Sequence, residues 1–224
     1  MAQPAWQRPY RAYLFDLDGT LVDTAPDLHQ ALNHTLTTFG YPPVPEHLTR
    51  DCIGHGARAM IQRALDASGI AEVEIDPLHK RFLEHYNAHI ADFSQPYPDV
   101  LRTLDDLADR GAALGVVTNK TARLSRNLLD CLTMSRRFTC LVGGDSAVRP
   151  KPDAAPVLMA LEQLGVPREE ALFVGDSATD VGAARAAGLS IVCVDYGYSH
   201  GIPAHALGAD GVISSFLDLI PTRR

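Results

Sequence analysis

Short apolar runs that end in polar residues recur along this chain and constrain its fold more than any other feature. The first run is Ala12 to Phe15, and after residue 98 similar runs alternate with helical segments. Strands separated by helices need crossover connections, which place the strands parallel in one sheet. The predicted strands are Ala12–Phe15, Ala113–Val117, Cys140–Val142, Ala171–Val174, Ile191–Val194 and a weaker Gly211–Ile213. The pattern therefore predicts an α/β fold with a parallel-sheet, Rossmann-like core.

The segment between the first strand and the rest has a different pattern. From about Ala25 to His89 the apolar residues recur at helical spacing, and breaks at Gly40 and Gly69 divide the segment into several helices. No strand-like alternation occurs there. We therefore predict a small all-helical cap over residues 25–90, inserted into a core formed by residues 1–24 and 91–224. We expect the cap to hinge against the core and to close over a bound ligand.

Two acidic pairs follow predicted strands. Asp16 and Asp18 come directly after the first strand, and residues two apart on an extended chain share a face. Asp176 follows the strand that ends at Val174, and Asp180 lies about one helical turn further on. A turn at Asp18-Gly19 or a helix N-cap would explain a single aspartate. Two pairs of carboxylates at one edge of the sheet repel each other, and a bound cation would relieve this repulsion. Four carboxylates there favour Mg²⁺.

Other polar residues complete a predicted phosphate site. Thr118 and Asn119 follow the strand that ends at Val117, and Lys151 lies between Pro150 and Pro152. Singly, these residues are compatible with a strand-end turn and a solvated surface lysine. Together with the carboxylates they supply a hydroxyl, an amide and a rigidly held ammonium, which suit a phosphoryl group.

The cap offers one cluster of candidate substrate ligands, Gly54, His55, Gly56 and Arg58. Two glycines expose backbone N–H groups beside an imidazole and a guanidinium. A plain turn between helices is the alternative. His85 and His89 have a spacing that can bind zinc, but with no acidic catalytic partner between them a polar helix face is the better interpretation.

Composition excludes several classes of function. The chain of 224 residues carries 27 acidic and 20 basic side chains, for a net charge of −7, and has no extended basic run. This argues against nucleic acid as a partner. No apolar run reaches the ~18 residues of a membrane span, and we expect neither a signal peptide nor a membrane partner. Four scattered cysteines without metal-binding spacing predict free thiols and a cytoplasmic protein.

The four segments around Asp16, Thr118, Lys151 and Asp176 resemble, in order and spacing, the haloacid dehalogenase-like superfamily of phosphotransferases. The resemblance covers nearly the whole chain. It implies that Asp16 is a nucleophile that forms an aspartyl-phosphate and that Asp18 is the general acid and base. Thr118 and Lys151 would bind the transferring phosphoryl group. Mg²⁺ would bind Asp16, the backbone carbonyl of Asp18 and Asp176, with Asp180 in support.

Two further segments resemble the bacterial phosphoglycolate phosphatases within that superfamily. These are Gly54-His55-Gly56 in the cap and the stretch from Tyr196 to Gly201. The resemblance implies a Mg²⁺-dependent phosphatase of a small phosphorylated metabolite, first of all 2-phosphoglycolate, acting as a monomer or homodimer. The alternatives are a sugar-phosphate phosphatase, such as one for N-acetylmuramic acid 6-phosphate, a phosphomutase, and a phosphate-binding protein without turnover.

Overall fold

A parallel sheet of six strands forms the centre of the protein, as a computed structural model that describes residues 6–221 shows. Numbered in chain order, these strands are β1 Ala12–Phe15, β4 Ala113–Val117, β5 Cys140–Val142, β6 Ala171–Gly175, β7 Ser190–Val194 and β8 Gly211–Ile213. Their spatial order is β5-β4-β1-β6-β7-β8. The predicted α/β class is confirmed, and each predicted strand is present to within one residue at either end.

The register of the sheet brings the acidic segments together. Phe15, the last residue of β1, stands opposite Val116 of β4 on one side and Val174 of β6 on the other. All three strands run in the same direction, so the residues that follow them emerge at the same edge. This edge is where open α/β sheets place their ligand sites.

Four helices pack on the two faces of the sheet. They are α5 Val100–Asp109, α6 Ala122–Cys131, α7 Ala155–Leu164 and α8 Ala178–Ala187. Alternate residues of β1 point to opposite faces, so Tyr13 and Phe15 lie in one buried apolar cluster and Ala12 and Leu14 in the other. Burial on both faces explains why the strands are continuous apolar runs.

The inserted segment is helical, as its spacing predicts, and it contains four helices, of which the short second one was not predicted. They are α1 Ala25–Thr38, α2 Glu46–Arg50, α3 Ala57–Ala67 and α4 Ile75–Ala88. Apolar side chains of α1 and α4, such as Leu32 and Phe82, belong to the same buried cluster as Phe15 and Leu17 of the core. The division into two domains and the hinge motion stay predictions.

A two-stranded ribbon joins the cap to the core. Strand β2, Val22–Asp23, pairs antiparallel with β3, Gln95–Pro96, so the entering and the leaving chain are hydrogen-bonded to each other. The carboxylate of Asp27 accepts hydrogen bonds from the backbone N–H of Ser94, at 2.8 Å, and from its hydroxyl. None of the helices within residues 6–221 is both long and apolar enough to cross a membrane.

Candidate active site

The side chain of Lys151 lies among carboxylates at the edge of the sheet. Its Nζ is 2.8 Å from Asp16 Oδ1 and 2.6 Å from Asp180 Oδ1, and only 2% of the side chain is exposed. Burial disfavours the ammonium form, but the two carboxylates more than offset this and raise the pKa of Lys151. The surface-lysine interpretation is therefore wrong, and Lys151 is a buried group held between two carboxylates.

Asp16 has an oxygen that the protein does not satisfy. Its Oδ1 is buried and forms an ion pair with Lys151, but accepts no hydrogen bond of good geometry within residues 6–221. Burial raises the pKa of Asp16 to about 7, and the charge of Lys151 acts in the opposite direction. A buried polar atom without a hydrogen bond destabilises a fold, so its presence here points to a function.

Asp176 is held by the loops around it. Its Oδ1 accepts a hydrogen bond from the Thr20 hydroxyl at 2.9 Å, and its Oδ2 accepts one from the backbone N–H of Tyr198 at 2.6 Å. Gly19 and Gly197 pack against this carboxylate so closely that a Cβ at either position would overlap its Oδ2. Burial and the neighbouring charges of Asp180 and Asp16 raise the pKa of Asp176 well above its usual range.

These residues fit a divalent cation. Asp16, Asp176 and Asp180 each offer a carboxylate oxygen, and these oxygens lie within 4.8 Å of one another. Lys151 neutralises one negative charge, which leaves a buried excess that a hard cation with oxygen ligands would relieve. The acidic cluster therefore matches the donor set of a divalent metal site.

Asp180 serves two purposes that the sequence left as alternatives. It is the third residue of a capping box at the start of α8, in which the backbone N–H of Asp180 donates to Ser177 Oγ at 3.4 Å and the backbone N–H of Ser177 donates to Asp180 Oδ2 at 3.1 Å. The backbone N–H of Asp176 and the hydroxyl of Ser177 also donate to Oδ2, while Oδ1 contacts Lys151. Asp180 is thus both a helix cap and a support for the site. Its Oδ1 lies 2.6 Å from the ammonium of Lys151.

The carboxylate of Asp18 is not one of the three clustered carboxylates. Its Oδ1 accepts hydrogen bonds from the Thr24 hydroxyl at 2.7 Å and from Lys120 Nζ at 2.5 Å. The metal role predicted for Asp18 is that of its backbone carbonyl, and this role stays a prediction. The carboxylate lines the same cavity as Asp16, which is the position that a general acid requires.

Sequence reasoning missed Lys120. Its side chain is only 7% exposed, and its Nζ lies 4.9 Å from the centre of the Tyr86 ring as well as beside Asp18. Burial disfavours the charged form, but the charge of Asp18 more than offsets this, so the pKa of Lys120 is raised. Its position directly after Thr118-Asn119 could have indicated a role in the site, because the predicted site ended one residue too early.

Thr118 and Asn119 occupy different positions in the site. Thr118 is buried and lines the cavity. The side chain of Asn119 is hydrogen-bonded to protein: Oδ1 accepts from the backbone N–H of Lys151 at 2.9 Å, and Nδ2 donates to the carbonyls of Lys151 at 3.0 Å and Gly54 at 3.1 Å. Asn119 therefore connects the backbone of Lys151 to the cap. Substrate contact by Asn119 stays a prediction.

A cavity of about 300 Å³ lies between the cap and the end of the sheet. Asp16, Asp18 and Thr118 line its floor, and all four predicted cap residues line its upper wall: Gly54, His55, Gly56 and Arg58. Arg58 forms an exposed ion pair with Asp76 at 2.6 Å. The rest of the wall includes apolar side chains, namely Leu28, Ile53, Met60, Phe82, Leu83 and Leu124.

His79 also lines the cavity and was not predicted, because a single histidine on an amphipathic helix carries no signal of its own.

The predicted preference for a polar helix face over zinc at His85 and His89 agrees with the stacking of these rings. The His85 ring stacks on His34 at 3.9 Å between centroids and lies 4.5 Å from the ring of His89. Within the described part of the chain, only the acidic cluster brings three metal-binding side chains together.

The class of protein follows from the sheet topology, the acidic cluster and one comparison. A family model described as haloacid dehalogenase-like hydrolase matches residues 13–194. The chain belongs to this family, which confirms the resemblance.

Relatives of the chain are named phosphatases. A phosphoglycolate phosphatase of Caulobacter vibrioides is 45% identical over 92% of this chain and 87% of its own length, and one of Agrobacterium fabrum is 42% identical over 93% and 90%. An N-acetylmuramic acid 6-phosphate phosphatase of Pseudomonas aeruginosa is 39% identical over 94% and 93%. These relatives confirm that the chain is a phosphoric monoester hydrolase.

Solved structures agree with this class. A predicted phosphoglycolate phosphatase from Haemophilus somnus has a TM-score of 0.89 and 32% identity, covering 94% of this chain and 96% of its own. The CbbY protein from Rhodobacter sphaeroides, solved in complex with phosphate, has a TM-score of 0.80 and 26% identity over 94% and 96%. The parallel-sheet core with a helical insertion is therefore an architecture that this chain shares with known structures of the family.

Proposed function

We propose that this protein hydrolyses 2-phosphoglycolate to glycolate and phosphate through an aspartyl-phosphate on Asp16. The observation that carries the proposal is the buried Asp16 carboxylate at the floor of the cavity. It has one oxygen beside Lys151 that accepts no hydrogen bond from residues 6–221. The ion pair with Lys151 leaves this carboxylate without the cap and backbone hydrogen bonds that hold Asp180, which contacts Lys151 through one oxygen and Ser177 through the other.

The reaction has two steps that share one acid and base. In the first, a carboxylate oxygen of Asp16 attacks phosphorus, the ester P–O bond breaks, and Asp18 gives its proton to the departing oxygen of glycolate. In the second, a water molecule loses a proton to Asp18 and attacks phosphorus. The bond between phosphorus and Asp16 then breaks, and phosphate leaves. Both side chains return to their starting states.

The other residues of the floor position these groups. The ammonium of Lys151 balances the charge of the non-bridging phosphoryl oxygens, and the Thr118 hydroxyl donates a hydrogen bond to one of them. Thr24 and Lys120 fix the orientation of Asp18 by binding its Oδ1. We propose that Mg²⁺ is held by Asp16, Asp176 and the backbone carbonyl of Asp18, where it supplies charge neutralisation.

The cap residues would distinguish the substrate from other phosphate esters. Gly54, His55, Gly56 and Arg58 line the wall of the cavity that faces the floor. The carboxylate of 2-phosphoglycolate is an anion beyond the phosphoryl group, and backbone N–H groups, an imidazole and a guanidinium are suitable donors for it. We therefore propose that these four residues bind that carboxylate.

A second candidate substrate is an amino-sugar phosphate such as N-acetylmuramic acid 6-phosphate. The observation in its favour is the cavity itself, since about 300 Å³ with an apolar wall exceeds what a two-carbon acid requires. One of the named relatives acts on this ester. A phosphomutase would use the same floor but would return the phosphoryl group to the substrate.

The deciding experiment is turnover of a panel of phosphate monoesters by the full chain with Mg²⁺. The panel contains 2-phosphoglycolate, N-acetylmuramic acid 6-phosphate, hexose phosphates and p-nitrophenyl phosphate. The highest kcat/KM is expected for 2-phosphoglycolate, with one ¹⁸O from labelled water in each phosphate released. Preference for an amino-sugar phosphate would transfer the proposal to the second candidate, and isomerised phosphate esters without released phosphate would indicate a mutase.

A cytoplasmic location and a monomeric or homodimeric state stay predictions, as does the absence of a nucleic-acid or membrane partner. All four cysteines are free thiols in the structure, and the two most deeply buried, Cys52 and Cys193, have raised pKa values because of that burial. Inert, reduced thiols are compatible with a reducing compartment.

A further inference from the structure

The loop that follows β7 touches the cap directly above the active site. We call residues 196–201 the clasp loop and residues 51–56 the cap loop. His200 of the clasp loop donates a hydrogen bond from Nδ1 to the backbone carbonyl of Asp51, at 2.7 Å. Its ring also stacks on the ring of His55, with centroids 5.3 Å apart. The chemistry proposed above uses no side chain of the clasp loop.

The contact between the two loops is close. Gly54 has a φ of +113°, and a Cβ at this position would lie 3.3 Å from Nε2 of His200. That nitrogen is buried and has no hydrogen-bond partner within residues 6–221. The imidazole therefore packs edge-on against the backbone of the cap loop. Only glycine at position 54 allows both this approach and this backbone conformation.

The clasp loop is itself anchored to the floor of the site. The backbone N–H of Tyr198 donates to Asp176 Oδ2 at 2.6 Å, and the Tyr196 hydroxyl donates to the carbonyl of Thr20 at 3.2 Å. A Cβ at Gly197 would lie 2.2 Å from Cβ of Asp176, so this part of the loop lies directly on the acidic cluster. The residues that lead to His200 are thus anchored to the floor of the site.

The clasp loop also contacts the connection between the core and the cap. The Tyr198 hydroxyl bonds to the carboxylate of Asp23 in β2 and accepts a hydrogen bond from the backbone N–H of Ala25 at 3.0 Å. Arg50, next to the cap loop, lies 5.5 Å from the centre of the Tyr198 ring. One short loop therefore contacts the acidic cluster, the connection between core and cap, and the cap loop.

We propose that His200 is a positioning residue that holds the cap loop over the cavity and thereby sets selectivity for the part of the substrate beyond the phosphoryl group. The inference rests on the proposed function, because it concerns the same cavity. His200 does not line that cavity and acts through Gly54, His55 and Gly56, which do. Its loss should therefore affect an ester that the cap loop binds and spare one that it does not.

The test compares His200→Ala, His200→Asn and the control His205→Ala, an exposed histidine five residues further on. For His200→Ala, kcat/KM for 2-phosphoglycolate should fall about tenfold, while kcat/KM for p-nitrophenyl phosphate stays near that of the wild type. His200→Asn should recover most of the loss, because its amide N–H stands in for Nδ1–H and asparagine tolerates the left-handed backbone at this position, where φ is +54°. The control should match the wild type.

Hydrogen exchange gives a second readout that needs no activity. The backbone amides of the cap loop should exchange faster in His200→Ala than in the wild type, and those of the asparagine variant should not. Equal losses on both esters, no rescue by asparagine, or unchanged exchange would overturn the positioning role. If the wild type hydrolyses no phosphate ester but exchange still responds to His200→Ala, the proposed function fails and the contact between the loops stands.

Discussion

The floor and the upper wall of the cavity differ in how far their charged side chains are exposed to solvent. On the floor, the side chains of Lys151 and Asp180 are 2% and 0% exposed, and their ion pair excludes water. On the cap, those of Arg58 and Asp76 are 57% and 72% exposed. Buried charges in fixed positions stabilise a transition state without reorganising. Solvated charges contribute little on their own but can reorient toward a ligand.

Under the proposed function, the floor carries the chemistry and the cap carries the selectivity. The floor is built from backbone-anchored groups, since the carboxylates of Asp176 and Asp180 each accept hydrogen bonds from N–H groups of neighbouring loops. The cap presents side chains that reach the cavity from one loop and three helices. Substitutions on the floor should therefore impair every substrate equally, and substitutions on the cap should distinguish between substrates.

The largest effect is expected for Asp16→Asn. An amide oxygen is a poor nucleophile toward phosphorus, so kcat should fall by at least about 10³-fold with every ester tested. The side chain keeps its shape, but buried Lys151 is left with one anionic neighbour instead of two, so the melting temperature should fall and kcat is measured well below it. Residual turnover near that of the wild type, in a folded variant, would exclude Asp16 as the nucleophile.

Removal of the metal should also abolish activity on all substrates. Excess EDTA is expected to stop turnover and added Mg²⁺ to restore it, because the three clustered carboxylates repel each other without a cation. Mg²⁺ should also raise the melting temperature of the wild type, as any ligand of the folded state does. Asp176→Asn should weaken this stabilisation, whereas Asp195→Asn, outside the cluster, should not. Full activity in EDTA would contradict the metal site.

The sequence predicted the floor better than the wall for a physical reason. Asp16, Thr118 and Asp176 each follow a strand, and parallel strands bring their carboxyl ends together whatever the details of packing. Lys120 was missed because its partner Asp18 is 102 residues away along the chain, and nothing local in the sequence distinguishes a buried lysine from a solvated one. The ribbon of β2 and β3 was missed because two-residue strands have no periodicity.

The cap could be predicted as helical, but its contacts could not. Helical spacing predicted that the cap is helical, yet the pairing of Arg58 with Asp76 joins α3 to α4 through a geometry that spacing does not specify. The same holds for His200, whose partner is a backbone carbonyl 149 residues earlier in the chain. Any residue can offer a backbone carbonyl, whatever its side chain. The identity of Asp51 therefore did not indicate that its carbonyl accepts a hydrogen bond from His200.

The free energy of unfolding should also distinguish the floor of the cavity from the cap. Asp180→Asn leaves the ammonium of Lys151 with one anionic neighbour instead of two in a buried site, which should lower the free energy of unfolding by about 3 kcal/mol. Asp76→Asn makes the same chemical change in an exposed pair and should lower it by less than about 1 kcal/mol. Denaturant unfolding of both variants measures the difference. Equal losses would mean that the floor is no more desolvated than the cap.

The smallest effects concern the cap pair, and they should have opposite signs. Arg58→Ala removes a donor for the substrate carboxylate, so kcat/KM for 2-phosphoglycolate should fall several-fold, while p-nitrophenyl phosphate is spared. Asp76→Asn removes the competitor that holds Arg58 in an ion pair. Because an exposed pair contributes at most about 1 kcal/mol, KM for 2-phosphoglycolate should decrease by no more than about fivefold.

A matched control separates this competition from a general change in charge. Glu84→Gln removes another exposed carboxylate from α4, the partner of Arg81, and Glu84 does not line the cavity. It should leave KM unchanged for both esters, although it makes the same change in net charge as Asp76→Asn. If the two variants lowered KM equally, long-range attraction of an anionic substrate would explain the effect. A decrease confined to Asp76→Asn, and abolished when Arg58 is alanine as well, would identify Arg58 as the group that the substrate carboxylate and Asp76 share.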